Sequence, residues 1–121
     1  MSLVLHDAEA VVINAIEHLN LCSAYRDEPS HTPTEPYVTV VYSGGGTVTQ
    51  PVSTPSLLVY FHAQTWKQAR TLGLTAEKLL PEQLLKDPLC FDVSIESTYR
   101  LDDPNTGQPR FGMTIDLTLA G

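Results

Sequence analysis

The last third of the chain holds two nine-residue runs in which apolar and polar residues alternate, and this pattern restricts the fold more than any other feature. In the first, Phe91, Val93, Ile95, Ser97 and Tyr99 alternate with Asp92, Ser94, Glu96 and Thr98. In the second, Phe111, Met113, Ile115, Leu117 and Leu119 alternate with Gly112, Thr114, Asp116 and Thr118. Successive side chains of a strand point to opposite faces, so a period of two marks a strand with one buried face. Pro104, Asn105, Thr106 and Gly107 lie between the runs and supply turn chemistry, which predicts an antiparallel hairpin.

The earlier segments provide what such a hairpin needs to cover its apolar face. Over 7–21, Ala8, Val11, Val12, Ala15, Ile16 and Leu19 recur at three- and four-residue steps, the stripe of an amphipathic helix. Asp7 is its expected N-cap, and Glu9 lies in the first turn, where the helix dipole favours an anion. The proline-bearing stretch 24–36 reads as a loop. Residues 37–42 and 56–62 are β-branched, aromatic and aliphatic, as strands prefer, and a glycine-rich connection joins them. A second helix is predicted from about Ala63, with Thr65 as cap, to Leu80, and Trp66, Ala69, Gly73, Ala76 and Leu80 share its apolar face. Glycine inside a helix costs about 1 kcal/mol relative to alanine, so Gly73 implies a close helix–sheet contact. Pro81 is expected to end or restart the helix, leaving residues 81–88 as a short extra turn.

The resulting order is α-β-β-α-β-β. Two amphipathic helices cover one side of a sheet, so the expected fold is α+β: a two-layer sandwich with a mainly antiparallel sheet, in a single domain over 1–121.

Composition restricts the function. Seven Lys and Arg stand against fourteen Asp and Glu, a net charge of −7, and the cations are scattered along the chain. Binding to phosphates by counterion release needs clustered cations, so sequence-specific nucleic-acid binding is not expected. The opening residues lack a cationic leader region, and the apolar runs are too short for a membrane span, so the chain is expected to work in a reducing cytoplasm. There Cys22 and Cys90, which have no CxxC spacing, are expected to be small core residues.

Motifs for catalysis or cofactor binding are weak. Gly44, Gly45 and Gly46 are followed by Thr47, Val48, Thr49, Gln50 and Pro51, not by the Lys-Ser or Lys-Thr and helix of a phosphate loop, so they read as a flexible connection. His6, His18, His31 and His62 fall in different elements without metal-ligand spacing. A thiol nucleophile at Cys22 or Cys90 based by His62 is disfavoured because Cys90 begins a strand between Leu89 and Phe91. Asp102 and Asp103 read as solvated turn residues rather than a carboxylate pair. No catalytic, cofactor or metal residue is assigned, and the sequence points to a binding or assembly protein rather than an enzyme.

The motifs in their order resemble the tail terminator (tail-completion) proteins of long-tailed bacteriophages, most of all those of siphoviruses with actinobacterial hosts. The likeness is carried by the Asp7-x-Glu9-Ala10-x helix start, the Gly44-Gly45-Gly46 stretch, LLVYFHA at 57–63, QTWKQARTLGLTAEKLL at 64–80, and the hairpin whose turn reads DPNTGQPR at 103–110. The resemblance implies a homo-oligomeric, hexameric ring in the virion tail at the head–tail interface, assembled in the host cytoplasm. Such a ring caps the tail tube, stops polymerisation of the tail-tube protein and docks a head-side connector or stopper protein. DNA would pass through its lumen without specific binding, since like charge disfavours adsorption. The docking segments expected on this reading are Gly44, Gly45, Gly46, Thr47 and Val48 in one loop, and Asp102, Asp103, Asn105 and Arg110 in the hairpin turn. Two other readings stand beside it: another connector ring of the stopper or adaptor kind, and a small enzyme or ligand-binding domain with a pocket between helices and sheet.

Overall fold

The computed structural model describes residues 8–26, 35–44, 52–100, 102–104 and 107–120. Its elements in order are α1 (Ala8–His18), β1 (Ser23–Tyr25), β2 (Tyr37–Gly44), β3 (Val52–Ser53), β4 (Ser56–His62), α2 (Trp66–Leu84), β5 (Cys90–Arg100) and β6 (Arg110–Ala120). The chain is α+β, as its sequence predicts, with two short strands, β1 and β3, added to the expected order. β6 is the hub of the sheet: β4 and β3 pair with it along one side and β5 along the other, all antiparallel. β2 continues the sheet beyond β4, and β1 pairs in parallel with β2, which makes the sheet mixed.

Cross-strand partners share a face, so the register separates the two sides of the sheet. Val38 and Val40, Leu57, Val59 and Phe61, and the odd-numbered residues of β6 from Phe111 to Leu119 are buried in one core with the apolar stripes of both helices. Thr39, Tyr60, Leu58, Thr114, Asp116, Ser94 and Glu96 belong to the opposite face.

α1 stops at His18 although its apolar period runs on to Leu19. Asn20 adopts φ 55°, and Leu21 and Asn20 donate back to the carbonyls of Ile16 and Glu17. A left-handed residue closing the last turn in this way ends a helix, and asparagine tolerates that conformation better than most residues. The expected cap Asp7 lies outside the described residues. Glu9 accepts from the backbone N–H of Tyr42 at 3.0 Å and pairs with Arg26 at 3.3 Å, tying α1 to the outer side of β2.

Thr65 caps α2 as predicted, accepting from the Gln68 N–H at 3.2 Å. The helix then passes through Pro81 to Leu84, contrary to the expectation that proline would break it. Proline in a helix interior costs about 3 kcal/mol. Leu80 and Leu84 on either side are completely buried, and burial of one such side chain contributes roughly 1.5–3 kcal/mol. Continuing the helix is what places Leu84 in the core. Trp66 is a rim residue rather than a core one: half-buried, it packs against Phe111 and carries Arg100 over its ring.

β5 departs from strict alternation at two irregularities, between Cys90 and Asp92 and between Glu96 and Tyr99. At the first, Cys90 takes the inward position opposite Leu119, and Phe91, expected inside, is 60% exposed. At the second, the shift reverses the alternation, so Arg100 turns toward the helix layer and Trp66. Both cysteines are free; Cys90 is in the core and Cys22 is half-buried at its edge, where desolvation pushes its thiol pKa up to about 11.

Gly73 shows the predicted close contact. A Cβ there would sit 2.0 Å from Cδ1 of Phe111 and within 2.7 Å of two more ring carbons. Gly73→Ala gains about 1 kcal/mol in helix propensity but overpacks a rigid ring, at a cost of about 1–3 kcal/mol. The net effect expected is a lower urea midpoint, and a midpoint equal to or above wild type would show that Phe111 yields.

Candidate functional site

The strand register sets the positions of the two segments expected to dock. Tyr37 of β2 stands opposite His62 of β4, which stands opposite Arg110 of β6, and the hairpin turn bearing Asp102 and Asp103 follows at this end. Gly44 closes β2 at the other end, opposite Ser56. Seven residues of strand separate Tyr37 from Gly44, about 23 Å. Gly44 and the hairpin turn therefore stand at two poles of the sheet, not on one surface. Gly45, Gly46, Thr47, Val48 and Asn105 lie outside the described residues.

At the turn pole, sequence reasoning is corrected. Asp102 is exposed, as expected, and pairs with Arg100 at 3.2 Å. Asp103 is not a solvated turn residue: it is 3% exposed. Its backbone N–H donates to Gln108 and its carbonyl accepts from Gly107 at 2.7 Å, so its backbone closes the turn. Gly107, at φ 71°, is in the left-handed region that favours glycine. The Asp103 carboxylate points inward, 4.0 Å from Nδ1 of His62. Ala63 N–H donates to the Pro109 carbonyl beside it, a second tie between the turn and the end of β4.

His62 is the residue that sequence reasoning missed. It is wholly buried, with Nε2 3.0 Å from the Thr39 hydroxyl and its ring stacked on Tyr37 at 4.4 Å and 5°. Tyr25 of β1 meets Tyr37 edge-on. The carboxylate of Asp103 favours the tautomer with the proton on Nδ1, which leaves Nε2 to accept from Thr39. Desolvation first, then the charge of Arg110, lower its pKa from 6.5 to about 4, against the opposing pull of Asp103. Arg110 itself lies 4.2 Å over the ring of Tyr60. One signal was present in the sequence: His62 ends a run that is otherwise apolar after Ser56, and a polar residue at the end of a buried strand needs partners.

A groove of about 740 Å³ lies between the end of α1, β1 and the start of α2. Its polar residues Glu17, Glu35, Lys67 and Gln68 are exposed rim residues and do not converge on a buried point. Among the described residues no three His, Cys, Asp or Glu side chains gather as metal ligands, and no helix is long and apolar enough to cross a membrane.

In comparisons with known proteins, the chain matches no family model and no curated protein.

The buried imidazole gives a pH dependence. Its folded-state pKa is below its unfolded value, so the unfolded chain binds the proton more readily. The stability is complete above about pH 6.5 and is lost as pH falls toward 4, by up to about 3 kcal/mol. Urea unfolding from pH 7 to 4 should show this loss, and His62→Gln should flatten it. An unchanged slope in the variant would assign the acid sensitivity to other groups.

Proposed function

We infer that the chain is a phage tail terminator: a ring-forming protein that caps the head-proximal end of the tail tube and offers the opposite side to a head-side connector. The observation that supports this reading is that Gly44 and the hairpin turn stand at opposite ends of one sheet. A terminator needs one surface that docks the tube and another, different surface that does not propagate it, because a head-to-tail unit with two matching ends would keep polymerising. Gly44 at one end of the sheet, and the exposed Asp102 with Arg110 at the other, differ in charge and would give the ring two chemically distinct sides. The anchoring of Asp103 against His62 further supports the reading. A turn held in place before binding loses less conformational freedom on docking. The net charge of −7 per copy accords with a lumen along which DNA slides without adsorbing.

The direct test mixes purified protein with polymerising tail-tube subunits. Tubes should stop growing at one end, and electron microscopy should show the cap there. Shortening the loop over 45–50 and, separately, reversing charge with Asp102→Lys and Arg110→Glu should each abolish only one of the two contacts, tube or connector. Tube lengths indifferent to the protein would overturn the terminator reading. Binding to the connector alone would favour the stopper or adaptor alternative.

A further inference from the structure

The two poles leave the flanks of the molecule, the outer side of α2 and the face of the sheet away from the helices, without an assigned role, and the charges on the two are complementary. On α2, Lys67, Arg70, Leu74 and Lys78 are all exposed and fall within about 80° of arc at 3.6 residues per turn. They face away from Ala69, Gly73, Ala76 and Leu80 in the core. Glu77 and Glu82 lie to either side of this stripe. None of the three cations has an ion pair among the described residues. Leu74, at the centre of the stripe, is 39% exposed.

On the open face of the sheet, Asp92 stands opposite Thr118, Ser94 opposite Asp116, and Glu96 opposite Thr114. Asp92 and Glu96 are exposed, and Asp116 is half-buried with its carboxylate accepting from the Ser56 hydroxyl. The spans also match: Lys67 to Lys78 covers about 16 Å of helix, and Asp92 to Glu96 about 13 Å of strand. This acidic face is unsuited to meeting its own copy. An antiparallel pairing of two β5 strands about Ser94 would set Asp92 against Glu96, and like charges directly opposite destabilise a pair.

We propose that the outer face of α2 docks on the acidic open face of β5 and β6 of a second copy of this chain, a heterologous contact repeated around the ring. It rests on the ring reading above and names the surfaces that would build it. The partner is fixed by charge and by symmetry: different patches on the two copies make a head-to-tail contact, which closes into a ring when the rotation between copies permits. Neither patch uses the poles, so both poles remain available to neighbours above and below the ring.

The experiment is a charge swap read by native mass. One variant carries Lys67→Glu, Arg70→Glu and Lys78→Glu; the other carries Asp92→Lys and Glu96→Lys. Each alone should lose assembly, with at least a tenfold weaker association than wild type. An equimolar mixture should recover it, because each variant then supplies the face its partner lacks. That recovery also shows that both variants are folded, and the single changes Lys78→Glu and Glu96→Lys provide a milder pair. Wild type that assembles while both variants assemble equally well overturns this contact and leaves the ring reading standing. Loss in both variants without recovery on mixing overturns the pairing of these two faces. A wild-type monomer at high concentration overturns the contact and the ring together.

Discussion

The contact between Gly73 and Phe111 sets the spacing of the whole molecule. β6 pairs with three other strands, so whatever fixes the height of α2 above β6 fixes the height of the helix layer above the sheet. At Gly73 nothing stands between the helix backbone and the aromatic ring, and the helix lies as close to the sheet as that ring allows. The rest follows from this separation. Ala69 and Ala76, buried on the same face, are small enough to fit beside that contact, and Leu80 and Leu84 are buried further along the helix. The energetic gain from Leu84 also explains why the helix tolerates Pro81.

The polar counterpart of that apolar contact is the cluster around His62. A wholly buried imidazole between β2 and β4 is costly unless polar groups meet its nitrogens; Nε2 lies 3.0 Å from the Thr39 hydroxyl, while Nδ1, with no hydrogen bond among the described residues, faces the Asp103 carboxylate at 4.0 Å. Three separate stretches of chain, β2, the end of β4 and the hairpin turn, are thereby held to one geometry. An all-apolar arrangement would pack as well but would not dictate where the turn lies.

Much of this was legible in the sequence, for reasons that differ by element. The β6 alternation is complete because every inward position of that strand faces the core, so its pattern and its structure agree residue by residue. The cap at Thr65, the close approach at Gly73 and the apolar stripe of α1 are local or one-faced signals and were readable for the same reason. β5 was less legible because it borders the sheet: its two irregularities change which side a residue faces without changing composition, and Phe91, expected inside, lies outside. β1 has three residues and no period, and it exists only because Ser23–Tyr25 lies beside Tyr37–Thr39 after the chain returns. The inward Asp103 was illegible because aspartate is equally at home in a solvated turn; only the fold brings His62, forty-one positions earlier, to meet it.

The carboxylate of Glu9 occupies a backbone donor on the outer side of β2, and Arg26 holds that carboxylate in place. Strand borders are where proteins made in quantity are prone to stick to one another, because any extended chain can complete the unpaired ladder. Here a helix side chain already fills that place on one border, beyond the short stretch β1 covers. Strand-by-strand growth of the sheet into fibres is discouraged at this side, and crowded copies are left to associate through side-chain surfaces, where charge and shape can choose the partner.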